Sequence, residues 1–138
     1  MKKEKSCGAV VYQFQDAQLY LLILKMRKGH YSIPKGHVEN QESEEETALR
    51  EIKEETNLKV KIDTNFREVI TYFPFEGVSK EVVFFVAKYI DGEVKEQESE
   101  VEKAMWLNIE DALNILTHKS DQEVVKKAIQ YITKEHKK

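Results

Sequence analysis

Residue types that mark specialised protein classes are scarce in this chain. A single cysteine, Cys7, cannot form an internal disulfide, which argues against a disulfide-stabilised secreted domain and favours a reducing, cytoplasmic setting. With two prolines, five glycines and no repeats, the chain offers no linker or low-complexity segment. No apolar run is long enough to span a membrane, and the short apolar stretch near the N-terminus suits a strand better than a signal peptide.

An excess of positive charge is also missing. The net charge of −3 and the pI near 5.9 leave no basic surface for general nucleic-acid binding. An anionic substrate would therefore be attracted locally, by a metal ion and a few cationic side chains. With 138 residues, 41% of them hydrophobic, the chain suits one globular domain over residues 1–138. The sequence leaves the oligomeric state open.

Hydrophobic periodicity predicts strands and helices mixed along the chain, which indicates an α/β fold. Gln15-Asp16-Ala17 is expected to form a turn between the first two strands. Two helices are expected near the C-terminus, beginning at Asn108 and at Ser120, which has Glu123 three residues on. The strand-like segments are residues 6–14, 18–26, 59–63, 66–74, 81–90 and 105–107.

A 23-residue run from Gly36 to Leu58 carries the strongest signal, with seven glutamates between Glu42 and Glu55. Ser43 and Glu46 form a capping-box pattern, and Asn57 is suited to end the helix that follows. An apolar stripe predicts one buried face: Ala48, Leu49, Ile52 and Thr56. Four glutamates are expected to face outward beside it: Glu44, Glu51, Glu54 and Glu55. Arg50 lies four residues from Glu46 and from Glu54, so it is expected to hold both carboxylates in place.

Glu51, Glu54 and Glu55 have helical i, i+3 and i+4 spacings, so their side chains share one face. Like charges at these spacings destabilise a helix by roughly 0.2–0.5 kcal/mol per pair. A cluster of hard oxygens is instead favourable around a cation, typically Mg²⁺ or Mn²⁺ bridging to phosphate. The alternative is an acidic helix that is merely solvated.

The spacing within the run favours the cation-binding cluster over the solvated acidic helix. Five residues separate Gly36 from Glu42, and seven more separate Glu42 from the segment Arg50-Glu51-Ile52-Lys53-Glu54-Glu55-Thr56-Asn57-Leu58. This pattern resembles the signature of the Nudix hydrolases at every fixed position except one, where Asn57 replaces a glycine.

The resemblance implies a Nudix-type α/β/α sandwich with a mixed β-sheet, and hydrolysis of a nucleoside diphosphate linked to another group. Glu51, Glu54 and Glu55 would bind Mg²⁺ or Mn²⁺ together with the Gly36 carbonyl, and Glu51 or a neighbour would help to deprotonate water. Glu42 would pair with Arg50 and brace the loop.

Residues outside the signature resemble the asymmetric diadenosine tetraphosphate hydrolases. The run Pro34-Lys35-Gly36-His37 is similar to that group, and Glu100, six residues before Trp106, matches a distal metal ligand or base. Glu96, Glu98 and Glu102 compete for that role. The resemblance also implies that Lys35 and Lys80 contact phosphates and that Tyr72 stacks on a base, while His37 either contacts phosphate or fixes the loop. Phe84 and Phe85 are expected on opposite faces of a strand, so at least one belongs to the core and either could line the base pocket.

The sequence is also compatible with other functions. The same metal site could hydrolyse nucleoside triphosphates, nucleotide sugars such as ADP-ribose, or RNA 5′ ends. A nucleotide sensor or an adaptor without catalysis is a further alternative. The presence of Glu51, Glu54 and Glu55 argues against such a binding module.

Overall fold

A computed structural model describes all residues, 1–138. Its seven strands and three helices follow in the order β1 (Lys2–Gln15), β2 (Gln18–Met26), β3 (Tyr31–Ser32), β4 (Lys35–His37), α1 (Glu44–Thr56), β5 (Lys59–Phe75), β6 (Val78–Asp91), β7 (Val101–Asn108), α2 (Ile109–Ile115) and α3 (Lys119–His136). None of the helices is both long and apolar enough to cross a lipid bilayer.

The strands form one mixed sheet with the order β3-β2-β1-β6-β5, while β4 also pairs with β1 and β7 with β2. β1 and β6 are parallel, and the other pairs are antiparallel. β1 changes partner along its length, since residues 6–8 pair with β4 and residues 12–15 pair with β2. Beside the first half of β1, β4 therefore takes the place that β2 occupies further along the strand.

Alternate residues of the central strands pack into two hydrophobic cores, as expected for a sheet covered on both faces. On one face, Cys7 and Val83 pack with Ala48 and Ile52 of α1. On the other, strand side chains such as Val10 pack with residues of α2 and α3. The predicted α/β/α sandwich with a mixed sheet is confirmed.

The turns follow the expected residue chemistry. Asp16 and Ala17 both have positive φ, 50° and 66°, in the tight turn between β1 and β2. The strand predictions were accurate in place but short in extent: residues 59–63 and 66–74 belong to one strand, β5, whose register shifts between Asp63 and Glu68. A bulge of this kind interrupts the pairing without ending the strand.

The start of α2 agrees with the prediction, whereas the start of α3 does not. Asn108 caps α2, and its side chain accepts a hydrogen bond from the Asp111 N–H. α3 begins at Lys119 after His118, which makes no side-chain cap. Ser120 therefore lies within the first turn of α3, because the N-cap residue of this helix, His118, comes two residues before the expected one.

Candidate active site

Helix α1 is fixed at both ends by local hydrogen bonds. The Ser43 hydroxyl accepts from the Glu46 N–H at 3.1 Å, and the Glu46 carboxylate accepts from the Ser43 N–H at 2.9 Å. At the other end Asn57 adopts the left-handed conformation with φ 66°, and its N–H donates to the Lys53 carbonyl at 2.9 Å. The predicted capping box and C-cap are confirmed, so the carboxylates between them have a defined orientation.

Arg50 is the centre of an ionic network on α1. Its guanidinium donates to both oxygens of Glu42, at 2.7 and 2.9 Å, to Glu51 at 2.7 Å and to Glu54 at 3.2 Å. Arg50 lowers the pKa of Glu42 to about 2, because its hydrogen bonds favour the charged carboxylate. The i,i+4 pair with Glu46 does not form, since that carboxylate caps the helix.

Gly36 on β4 lies directly beneath the carboxylate of Glu51. A Cβ atom at position 36 would come within 1.9 Å of Glu51 Oε2 and 2.0 Å of its Cδ. Only glycine allows this approach of backbone and carboxylate. The Gly36 carbonyl and Glu51 therefore belong to the same local arrangement.

Glu55 corrects the expectation that all four glutamates beside the apolar stripe face outward. It is only 3% exposed, and its Oε1 accepts a hydrogen bond from the Lys35 N–H at 3.2 Å. Burial, with a contribution from the charge of Glu51, raises the pKa of Glu55 to about 8. Leu49, expected in the buried stripe, is instead 38% exposed. The buried face of α1 is thus rotated toward Glu55, where β4 covers the helix.

The carboxylates of α1 are of the chemical type that binds a divalent cation, but they are not already arranged as a metal site. No three of the chain's His, Cys, Asp or Glu side chains are grouped closely enough to hold a metal ion. Burial raises the pKa of Glu51, and the charges of Glu54 and Glu100 add to this effect. Buried, mutually repelling carboxylates are stabilised by a cation, and hard oxygens suit Mg²⁺ or Mn²⁺.

A cleft of about 450 Å³ brings most of the predicted site residues together. Its walls come from β1, the β2–β3 turn, β4, α1, β6 and the segment before β7. The predicted residues that line it are Lys35, Gly36, His37, Glu51, Glu54, Glu55, Lys80 and Glu100. A second cavity of about 500 Å³, lined by Tyr12, Phe14 and His136 among others, contains none of them.

Of the four candidate distal glutamates, only Glu100 lines this cleft. The Glu96 carboxylate accepts a hydrogen bond from the Ala104 N–H at 3.2 Å, and Glu102 pairs with Lys25 at 2.7 Å. Glu98 lies on the wall of a neighbouring cavity. The placement therefore favours Glu100 over its competitors.

The predicted base-contacting residues lie elsewhere. Tyr72 is 41% exposed on β5 and does not line the cleft, but Lys80 Nζ, which does, lies 6.0 Å from the centre of its ring. Phe84 is only 1% exposed and belongs to the core beneath α3. The expectation that Phe84 lines a base pocket is wrong, because its face of β6 is covered there. Phe85 is buried in the opposite core.

Several cleft residues were not identified from the sequence. Ser6, Arg27, Lys28 and His30 all contribute to the lining. They come from β1 and from the turn after β2, and they belong to no spaced motif. The pairing of Ser6 with His37 across β1 and β4 depends on the sheet register, for which the sequence carries no separate signal.

The sequence model of the NUDIX domain matches residues 2–128. The chain belongs to the Nudix family. An asymmetrical bis(5′-nucleosyl)-tetraphosphatase from Sus scrofa is 28% identical over 140 aligned positions, covering 93% of this chain and 95% of that protein. A Mycobacterium tuberculosis protein provisionally named mutator protein MutT4 is 30% identical, and this chain spans only 56% of its length.

A solved structure of a hydrolase is also similar to this chain over nearly its whole length. A binary complex of the Caenorhabditis elegans Ap4A hydrolase superimposes with a TM-score of 0.85 at 27% sequence identity, covering 94% of this chain and 98% of that one. The chain is therefore a Nudix hydrolase by family, and Nudix hydrolases generally use a divalent metal ion.

Proposed function

We propose that this protein hydrolyses dinucleoside polyphosphates, converting diadenosine tetraphosphate and water to ATP and AMP. The observation that carries the proposal is one cleft in which four glutamates, Glu51, Glu54, Glu55 and Glu100, face three cationic or imidazole side chains, Lys35, His37 and Lys80. Long anionic substrates need both kinds of group. Relatives named as asymmetrical tetraphosphatases, matched over nearly their whole length, support the choice of substrate.

The metal under this proposal is Mg²⁺ or Mn²⁺. Glu51, Glu54, Glu55, Glu100 and the Gly36 carbonyl would hold it. When bound, such an ion lowers the pKa of coordinated water and neutralises phosphate charge. Arg50 keeps Glu51 and Glu54 in position through its hydrogen bonds, and Glu42 in turn fixes Arg50.

The remaining groups bind the two ends of the substrate. Lys35 and His37, on β4, and Lys80, on β6, contact successive phosphates of the chain. Tyr72 offers an exposed ring on which a base can stack, which is worth roughly 1–3 kcal/mol. In the reaction, water forms a new bond to phosphorus as one phosphoanhydride P–O bond breaks. Glu51 or a neighbouring carboxylate accepts the proton of that water.

The test is a product analysis with diadenosine tetraphosphate and Mg²⁺, beside nucleoside triphosphates, ADP-ribose and RNA with a 5′ triphosphate. We expect ATP plus AMP from the first substrate, slower turnover of the others, and loss of activity when a chelator removes the metal. Two molecules of ADP, or preference for another substrate, would contradict the proposed substrate. A nucleotide that binds but stays uncleaved would instead indicate a sensor.

Glu54→Gln provides the site-specific test. We expect turnover to fall by orders of magnitude with the fold intact, because Glu54 is a solvent-facing carboxylate in the cleft. Glu45→Gln is the matched control, since it makes the same change on an exposed face of α1 outside the cleft. Equal activity of the two variants at saturating Mg²⁺ would remove Glu54 from the metal site.

A further inference from the structure

One polar atom in the floor of the cleft has no partner within the protein. Ser6 is 1% exposed, and its hydroxyl is the one buried side-chain N or O atom that makes no hydrogen bond. Buried polar groups in folded proteins are almost always paired, because leaving one unpaired costs stability. An alanine would occupy the same position on β1 without this cost. Packing alone therefore does not account for the serine.

The strand pairing places this hydroxyl between two sources of positive charge. Ser6 is directly opposite His37 on β4 and beside Val82 on β6. Because side chains alternate along a strand, Lys35 shares the Ser6 face two residues before His37. Lys80, two residues before Val82, shares it from the other side. Both lysines and His37 line the cleft together with Ser6.

This arrangement points to an anionic acceptor. We propose that the Ser6 hydroxyl donates a hydrogen bond to a phosphate oxygen of the bound polyphosphate chain. The inference deepens the proposed function and rests on it. A hydroxyl can donate to phosphate, and the cations on either side attract phosphate to this depth of the cleft. Under the proposed function the base stacks on Tyr72, whose ring is exposed on β5.

Ser6→Ala separates this role from a structural one. Removal of an unpaired buried hydroxyl should stabilise the free protein, raising the Tm by about 2–8 °C. The same change removes a hydrogen bond to a charged group, so the Kd for inorganic tripolyphosphate with Mg²⁺ should rise about tenfold. A purely structural serine would not produce higher stability together with weaker anion binding.

Ser32→Ala is the control. Ser32 is also buried in a strand, but it lies outside the cleft. We expect its tripolyphosphate Kd, measured by isothermal titration calorimetry, to equal that of the wild type. An unchanged Kd in Ser6→Ala, or a lower Tm, would overturn the assignment of Ser6. Absence of tripolyphosphate binding in the wild type would overturn the phosphate site as well, whereas failure of the proposed function would appear as uncleaved diadenosine tetraphosphate, so the two failures are distinguishable.

Discussion

Substituting alanine for Gly36 tests how closely the backbone of β4 supports the candidate metal site. The new Cβ would lie 2.0 Å from Glu51 Cδ, whereas ordinary contact begins at 3.4 Å. Since position 36 has no positive φ, alanine fits the backbone itself. The carboxylate of Glu51 would therefore move by roughly 1–1.5 Å, as the flexible side chain yields before the strand does.

The expected consequences differ for activity and for stability. A displacement of about 1 Å at a catalytic group costs roughly 100-fold in rate, so we expect at least that loss in kcat. The Arg50–Glu51 hydrogen bond of 2.7 Å would be strained or lost. Loss of a hydrogen bond to a charged group costs about 1.5–3 kcal/mol, and replacing a strand glycine by alanine returns about 0.5–1 kcal/mol. The net loss of stability is then about 1–2 kcal/mol.

The assay combines initial rates on diadenosine tetraphosphate with thermal unfolding of each variant. Gly8→Ala is the comparison, because its Cβ would lie 2.0 Å from the Pro34 carbonyl oxygen. That obstacle is backbone and cannot rotate away, so we expect Gly8→Ala to fail in folding rather than only in catalysis. Wild-type kcat in folded Gly36→Ala protein would refute the close packing of Glu51 on β4.

Two further predictions concern pH and substrate binding. Hydrogen bonds from Arg67, then from Lys5, lower the pKa of Glu44 from 4.5 to about 2, so its stabilisation is complete above about pH 4.5 and is lost as the pH falls toward 2. Because Glu44 is partly exposed, we expect this stabilisation to be about 1–2 kcal/mol. The free energy of unfolding of Glu44→Gln, measured in urea, should therefore fall less than that of the wild type across that pH range. Tyr72→Ala should raise KM about tenfold with little change in kcat, since stacking acts on bound substrate and transition state alike; an unchanged KM would exclude base stacking there.

Much of the site could be predicted because its information is local in the chain. Helical spacing alone places Glu51, Glu54 and Glu55 near one another, and the capping box and Asn57 fix where the helix begins and ends. Fold class followed from periodicity for the same reason. These features depend on residues within one or two turns of each other, so no distant contact was needed to infer them.

The sequence did not predict which side chains are buried or which groups they contact, because both depend on which elements pack together. Glu55 was expected at the surface, but β4 lies across its side of α1 and supplies the Lys35 N–H. Phe84 was expected near a base, but α3 covers that face of β6. The spacing of residues along a helix or a strand predicts neither of these contacts.

The family, the helix that carries the carboxylates and their shared face can be inferred from the sequence alone, since these follow from spacing along a few turns. Packing between distant elements sets which carboxylate is buried, which distant glutamate lines the cleft and which hydroxyl lies unpaired in its floor. Glu100 and Ser6 are far apart in the chain and meet α1 and β4 only through the pairing of β1, β2 and β7. These long-range contacts depend on the sheet register, which many residues determine together and no single motif specifies.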